Sequence, residues 1–524
     1  MLATNVKGVV MAQRSVLVVG AGPTGLALAC GLRANGVSVR VLDRATGPAV
    51  TSRALGLQPR GAEVLDRLGA LGDLPSRSLP IHQVVVHVGG RELARLAVGR
   101  PTRLVRRPGL LVSQAEIEAR LRGRLGELDG SIEWGREVVG LESATEGVAV
   151  QLADGEVVDV GWVVGCDGAH SRVRPAAGIE FPGVRLVERF LLADVRAELG
   201  LDHHSVAVWL DGEDMVAAFP LPGRDRWRLM APAPDPSADL GPDAVLAQLT
   251  GVLAARSGLS AGTVREAYWT STFRFHRRLA ATYRSGRALL AGDAAHIHSP
   301  FGGQGLNTGI GDAENLAWKL GLVCAGRAEP ALLDTYEAER RPVAADVLAS
   351  TSGMTRVVMG ASAGARLLRD HALVPLMNQP VVQRLIWERS SQLLISYRRG
   401  PLGQGPRSWP PSGSRPRPGD RVPDLACRDA DGASTRLHAE LEPRWAVLAT
   451  DPALRAACAY VTARCLGADG VAQLTPTSTA QREVLLVRPD AHLAWRGTDP
   501  APLRRWLTEA LHEIVPAPPT VTAE

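Results

Sequence analysis

A short apolar run near the N-terminus, Val16-Leu17-Val18-Val19, leads directly into Gly20-Ala21-Gly22-Pro23-Thr24-Gly25. A helical pattern follows in Leu26, Leu28, Ala29 and Leu32, stopped by Asn35-Gly36. A second strand-like run, Val37 to Leu42, then ends at Asp43. This is G-x-G-x-x-G in a strand–turn–helix–strand frame, with an acid near the expected offset of about 20 residues. Few folds accept such an order: it requires a parallel βαβ unit whose glycines admit a pyrophosphate to a helix N-terminus. Gly20, Gly22, Pro23, Thr24 and Gly25 are therefore candidate cofactor-binding residues, and Asp43 can take both hydroxyls of an adenosine ribose. NAD and FAD both satisfy this pattern.

A second glycine-rich stretch, Gly292 to Asn307, reads G-D-A-A-H-I-H-S-P-F-G-G-Q-G-L-N. It follows the strand-like Ala288-Leu289-Leu290-Ala291 and opens a helix expected from Leu306 to about Val323. Gly302, Gly303 and Gly305 let backbone amides approach a ligand, and a helix N-terminus adds partial positive charge. Such an end suits a phosphate or a ring that becomes anionic on reduction, and Asp293 is placed to accept from a sugar hydroxyl. A third stretch, Trp162 to Arg172 (W-V-V-G-C-D-G-A-H-S-R), is again a strand followed by a polar turn.

In this order and spacing, from about Arg14 to the helices near Val347, the three signatures resemble the single-component flavoprotein aromatic hydroxylases, the group A monooxygenases with the p-hydroxybenzoate hydroxylase fold. The resemblance selects FAD. It implies that the first motif holds the ADP half, that Gly292-Asp293 meets the ribityl and phosphate region, and that Asp167-Gly168 serves FAD and NADPH or NADH together. Arg53, within Thr51 to Gly56, matches the family's flavin- and cofactor-contacting arginine. Gln114 matches a glutamine beside the diphosphate or ribityl, and Pro300 lies where the family places a carbonyl near the flavin's reactive edge. Arg53 and Pro300 are the catalytic candidates. Arg44, next to Asp43, suits a 2′-phosphate or open solvent equally. Backbone amides around Leu306 and Asn307 would stabilise negative charge on the reduced ring. The chemistry implied is oxygen transfer from a flavin C4a-hydroperoxide to an electron-rich ring, with the protein positioning the reactants and excluding water. The chain has no second complete G-x-G-x-x-G for NAD(P)H, so a flavin ring that swings outward to a transiently bound nicotinamide is expected, as in the family.

The expected fold is α/β: a Rossmann-like FAD-binding domain from 14–180 and 285–400, an inserted antiparallel β-sheet substrate domain over 181–284, a linker over 401–420, and a C-terminal thioredoxin-like domain over 421–524. Within the insert, Phe190–Val195, Val206–Leu210, Met215–Leu221 and Arg226–Met230 read as successive strands. The chain is expected to be mainly helical from Pro342 to about Tyr397. The Pro/Gly/Arg-rich linker has too little apolar content to pack. Beyond it, Arg488 to Arg496 resembles the C-terminal domain of phenol and polyketide hydroxylases. That domain carries no C-x-x-C here, so a structural or oligomerisation role is expected rather than a redox one, and a homodimer is compatible with it.

Composition sets outer bounds. The 524 residues are 45% apolar, enough for two or three domains. No apolar run reaches membrane-spanning length, and Met1 to Ala12 lack the apolar core of a signal peptide, Met11 offering an alternative start. The net charge of +5 is dispersed, and every basic residue other than Lys7, Lys319 and the histidines is arginine. Nucleic acid is therefore not an expected partner, although a basic cleft would attract an anionic nicotinamide cofactor. The six cysteines are scattered, no His/Cys set has metal spacing, and His296 and His298 read as loop histidines supporting the flavin turn. No metal is expected, and the location expected is cytoplasmic.

The substrate is expected to be a bulky, multi-ring phenolic of polyketide type. Candidate lining residues are Trp209, Met215, Phe219, Leu221, Trp227 and Met230. Alternate strand positions share a face, so Met215, Ala217 and Phe219 point the same way, and Ala217 and Ala218 leave room. Tyr268, His276 and His204 are candidate bases. Two other outcomes fit the same flavin site: Baeyer–Villiger insertion into a polyketide ketone, and sequestration of an aromatic ligand without turnover. Halogenation is excluded, because Trp209 and Trp227 stand in no W-x-W-x-I-P motif and neither lysine is suitably placed.

Overall fold

The computed structural model describes residues 15–49, 55–144, 146–211, 214–235, 240–260, 263–298, 303–359, 363–403, 416–441, 443–478 and 482–511. Strand β1 (Ser15–Val19) is buried on both faces beyond its first residue, and helix α1 (Pro23–Ala34) begins with proline at its first turn, where no amide donor is missed. Strand β2 (Ser38–Asp43) returns parallel to β1. On the other side of β1 lies β5 (Trp162–Gly165), then β11 (Ala288–Leu290), both parallel. Ile132–Trp134 and Arg284–Ser285 complete a six-stranded sheet. Its apolar strands are covered by α1, by α2 (Gln114–Glu127) and by the long α4 (Gly305–Cys324), with α1 and α4 crossing through small residues. A Cβ at Gly31 of α1 would stand 2.7 Å from that of Ala317 in α4.

The second sheet has eight strands, and it is larger than the expected insert. In spatial order it runs β12 (His296–Ile297), β10 (Val264–Leu279), β6 (Gly183–Ala197), β9 (Arg226–Pro232), β8 (Asp214–Pro220), β7 (Ser205–Asp211), β3 (Gln83–Val88) and β4 (Arg91–Ala97). Thus β3 and β4 come from the N-terminal segment, and β12 from the Gly292 motif itself. The sheet extends beyond 181–284 at both edges because strand pairing joins segments that are distant in the chain: β3 pairs parallel with β7, and β12 pairs antiparallel with the end of β10. Helix α3 (Pro242–Ser257) covers one face of this sheet with Val245, Leu249 and Leu253. The other face packs against the helical stretch that includes α6 (Pro380–Ser390), through Val374, Met377 and Ile386.

Helix α5 (Asp334–Met359) leads into that stretch. The expected linker is not free of packing at its ends. Leu402 is buried in the core of the C-terminal unit, and the Gly419 amide donates to the Leu493 carbonyl at 2.7 Å; residues 404–415 lie outside the described set. The C-terminal unit has a thioredoxin-like core. Strands β13 (Trp445–Leu448) and β14 (Val471–Pro476) are parallel across α7 (Pro452–Leu466). The hairpin β15 (Val484–Val487) and β16 (Leu493–Gly497) then precedes α8 (Pro500–Leu511). Among the described residues no helix is long and apolar enough to cross a membrane.

Candidate functional site

Four parallel strands end at one edge of the first sheet, and each delivers one of the sequence motifs there: Gly20 after β1, Asp43 at the end of β2, Cys166-Asp167 after β5 and Gly292-Asp293 after β11. In open α/β sheets this carboxyl edge is where ligands bind. The Gly20 amide donates to the Leu42 carbonyl at 2.7 Å, the Cys166 amide to Val19 at 2.8 Å, and the Ala291 amide to Gly165 at 3.0 Å, so the four ends are tied laterally. Gly20 has φ +106°, and a side chain there would collide with the Cys166 carbonyl. Gly25 is packed as closely against the Gly20 carbonyl. Gly22 is different: a Cβ on it would meet nothing within 4 Å, so its backbone faces open space. Two glycines close the turn and the middle one leaves it accessible, which is the arrangement a pyrophosphate needs.

The polar groups around this opening are oriented. Asp43 accepts from the Ala21 amide at 2.7 Å and the Ala45 amide at 2.8 Å. Gln114, the first residue of α2, donates to Glu118 at 2.8 Å; burial, with nearby Asp43, raises the Glu118 carboxyl. Asp167 uses one oxygen to accept from the Arg172 and Val173 amides at 2.6 and 3.2 Å, and its other oxygen is buried with no partner among the described residues. Gly168 has φ +77° and open space beside it. Asp293 keeps open surface while protein surrounds it otherwise, as on the floor of a cleft, and this desolvation raises its pKa. Gly292, at φ +61°, fits against Thr24, where a Cβ would stand 2.5 Å from the hydroxyl oxygen.

Helix α4 points its N-terminal amides at the same cleft. The side chain of Asn307 accepts from the Gln58 amide at 2.9 Å and donates to the Gly303 carbonyl at 2.8 Å and to Gly56 at 3.2 Å. Asn307 thereby pins two loops, while the amides of Gly305, Leu306 and Asn307 occupy the first turn, where no intrahelical acceptor exists. Gln304, preceding them, donates to the Ser390 carbonyl at 3.1 Å, and Gln392 donates to Gln304. Helix α6 therefore reaches from Ile386, against the second sheet, to Ser390, against the start of α4. The sheet face opposite α3 and the start of α4 converge on it. Arg44 is exposed. Arg53, Pro300 and Gly302 lie outside the described residues.

Behind the cleft stands a buried polar chain that the sequence motifs did not announce. Asp312, two turns into α4, accepts from the Gly292 amide at 3.1 Å, from His296 Nε2 at 2.6 Å and from Arg340 Nε at 2.7 Å. Burial alone would raise the Asp312 carboxyl, but Arg340 and His296 outweigh it and hold it below its usual value. Arg340 also donates to the Thr308 carbonyl at 2.9 Å and to the Tyr397 hydroxyl at 3.0 Å. The only sequence signal for this hub was the pair of histidines, read as supports of the turn. Among the described residues, no group of three or more His, Cys, Asp or Glu is arranged to hold a metal ion, and all six cysteines are buried and outside any disulfide.

The substrate candidates divide between the faces of the second sheet. Trp209 and Trp227 lie under α3 with Val216, Ala218 and Leu249. Met215, Ala217, Phe219 and Met230 lie on the opposite face with Phe190, Leu192, Trp269 and Phe273. Of the six expected lining residues, Trp209 and Trp227 are therefore turned by strand alternation to the helix-covered side, away from Met215, Phe219 and Met230. Leu221 is half-buried, just beyond β8. Of the candidate bases, Tyr268 is 46% exposed, and His204 stacks on His82 and is paired to the Pro80 carbonyl at 3.1 Å. The His276 side chain lies outside the described set.

Residues 13–351 match a family model described as FAD binding domain, and 415–518 match one described as aromatic-ring hydroxylase, C-terminal. The chain is 36% identical over 516 residues to a 6-methylpretetramide 4-monooxygenase of Streptomyces rimosus, covering 92% of this chain and 90% of the relative. The chain belongs to the FAD-dependent aromatic hydroxylases. A rifampicin monooxygenase of Streptomyces venezuelae is 35% identical, with 92% of this chain and 96% of the relative covered. Among solved structures, the anhydrotetracycline hydroxylase of Streptomyces rimosus superposes with a TM-score of 0.74 at 33% identity, covering 95% of this chain and 98% of that one. The family's FAD dependence is compatible with the geometry at the motif edge: an accessible Gly22, an acceptor at Asp43, an Asp167 oxygen with no partner among the described residues, and the first turn of α4.

Proposed function

We propose that this flavoenzyme hydroxylates a polycyclic phenol of aromatic-polyketide type, drawing electrons from NADPH or NADH and oxygen from O2. The reading is carried by one juxtaposition: an apolar sheet face bearing Met215, Phe219, Met230 and Trp269 meets, through α6, the N-terminus of α4 at the motif edge. Small residues such as Ala217 keep that face shallow enough for fused rings. Two relatives are a 6-methylpretetramide 4-monooxygenase and a rifampicin monooxygenase, named for bulky, multi-ring molecules, which supports the size class.

The protein's part is binding, orientation and electrostatics. In this proposal Gly20, Gly22, Pro23, Thr24 and Gly25 receive the diphosphate at the start of α1, Asp43 holds the adenosine ribose, and Gln114 lies along the diphosphate. Asp293 accepts from the ribityl chain, and the first amides of α4 face the pyrimidine edge of the ring. Asp167-Gly168, Arg53 and Pro300 complete the site toward the nicotinamide and the reactive edge. Bound FAD supplies the two-electron reduction of dioxygen. Transient nicotinamide binding, with a mobile flavin ring, accounts for the single dinucleotide motif.

The test is oxidation of NADPH and of NADH by purified FAD-loaded protein, with and without polycyclic and simple phenols, followed by product mass and structure. Stimulation by polycyclic phenols with a hydroxylated product is expected. A ring-expanded lactone would move the reaction to Baeyer–Villiger insertion, and tight binding without oxidation would make the protein a sequestering one.

A further inference from the structure

His298 lies between β12 and the start of α4, its Cδ2 3.6 Å from the position a Cβ on Gly305 would take. It is buried, its Nε2 is 2.9 Å from His296 Nδ1, and its own Nδ1 has no partner among the described residues. The hydrogens of this pair follow from the far end. Asp312 is ionised, and an ionised carboxylate only accepts, so His296 Nε2 carries a hydrogen. His296 Nδ1 and His298 Nε2 share the next hydrogen bond, and we take His298 Nε2 as its donor, the assignment that the first measurement below reads. That donor leaves a lone pair on His298 Nδ1, buried where the sheet, β12 and the start of α4 meet. An imidazole backed by a second imidazole and a carboxylate is the base–orienter arrangement of acid–base catalysis.

We propose that His298 Nδ1 accepts the proton of the substrate's phenolic hydroxyl, with His296 and Asp312 as positioning residues; this rests on the hydroxylase reading above. The O–H bond of the phenol breaks and its electron pair stays on oxygen. An N–H bond forms at His298 Nδ1 while the Nε2 proton of His298 passes to His296 Nδ1. The result is a phenolate, a neutral His298 of the other tautomer, and an imidazolium at His296 against Asp312. Nothing is oxidised in this step, and the phenolate is the more electron-rich ring that oxygen transfer requires.

The surroundings favour that distribution. Burial holds the His298 imidazole well below its usual pKa, so it stays neutral. The groups facing the pair are Asp312 of α4, Arg340 and Tyr336 of α5, Tyr283 ahead of β11, and Asp293. Tyr283 stacks 6.2 Å from His296, and burial raises both tyrosines, keeping them neutral. Arg340 is paired with Asp312 and remains a fixed charge.

The first measurement uses the ¹⁵N-histidine-labelled holoenzyme, with His296→Gln and His298→Gln to assign signals. Two neutral Nε2–H tautomers at pH 7.5 are expected; an Nδ1–H tautomer at ligand-free His298 would overturn the proposal. The second follows ionisation of alizarin, a polycyclic phenol, by its visible spectrum on the holoenzyme. Bound ionisation should fall at least about one pH unit below that in solution. The shift should vanish in His298→Gln and persist in Tyr268→Phe; an equal shift in His298→Gln would overturn the base assignment. The third is turnover, which should drop about 10²-fold in His298→Gln near neutral pH. Stimulation with an unaltered pH profile in that variant removes the base and leaves the hydroxylase reading standing. Failure of every polycyclic phenol to stimulate the wild type, with the tautomers as expected, removes the hydroxylase reading instead and with it the substrate assigned to His298.

Discussion

Helix α4 carries two buried charge networks, and they end differently. The first, around Asp312, runs to the Gly292 loop, to Arg340 and through His296 to an unpartnered nitrogen on His298. The second runs to the C-terminal unit. There Lys319 pairs with Glu339 at 2.8 Å, Glu339 accepts from Arg488 at 2.7 Å, and Arg488 pairs with Asp490. Glu314 is bridged by Arg60 and Arg67, and Arg60 also donates to the Asp490 carbonyl at 2.9 Å. In the Lys319 group two cations face two carboxylates, and the network serves to seat one unit on another. Around Asp312 the polar chain ends on the buried Nδ1 of His298, which has no partner among the described residues. Buried charge is costly wherever it lies, so one network is understood as assembly and the other as function.

The largest effect expected is from Asp312→Asn. It leaves Arg340 buried without its carboxylate and loosens the Gly292 loop, costing about 3–5 kcal/mol and most of the bound FAD. Thermal unfolding and the flavin-to-protein absorbance ratio read both; full flavin retention would break the contrast between the networks. Asp490→Asn should destabilise by a similar or smaller amount, about 3 kcal/mol, but act on docking, so that limited proteolysis of the C-terminal unit accelerates while the folded protein keeps its flavin. Equal flavin loss in both variants would merge the two networks into one.

Acid should separate them further. Burial, then Arg67, pushes the His438 imidazole to about 3 from 6.5, so it stays neutral in the folded protein. An unfolded chain takes up that proton below pH 6.5, and stability falls as pH drops from 6.5 toward 3. Burial alone would raise Glu63 and Glu339, but Arg421 and Arg488 hold both at about 2, against 4.5 unfolded. Their contribution is present above pH 4.5 and lost as pH falls toward 2. The docked unit should therefore loosen in acid, in a phase beginning near pH 6 and a steeper one below 4.5. Trp318 and Trp445, 5.2 Å apart across the interface, provide a fluorescence reading. Constant emission down to pH 3 would count against the assembly role.

The smallest effects concern the second sheet. Phe219→Ala should raise KM for a polycyclic phenol about 10-fold, the order expected for one lost aromatic contact. Trp209→Phe, on the α3 side, should leave KM unchanged and lower stability by about 1 kcal/mol. Reversal of the two would exchange the faces.

The turn motifs could be read from the chain because backbone geometry dictates residue type over a few positions. Gly20 and Gly25 have no room for a side chain, Asp43 ends its strand at the required offset, and Gly305 opens a helix aimed at the same edge. That local necessity was enough to specify a dinucleotide-binding α/β domain, and the family resemblance added FAD. The period-2 pattern likewise placed Met215, Ala217 and Phe219 on one side. What only the tertiary structure decided involves partners far apart in sequence. Strand β3 joins β7 across more than a hundred residues, α3 determines which sheet face is closed, and Arg340 meets Asp312 across 28 residues. Side-chain hydrogen bonds and the sharing of a buried face leave no mark on local periodicity, so the chain states what each turn must be, and packing alone determines which turns meet.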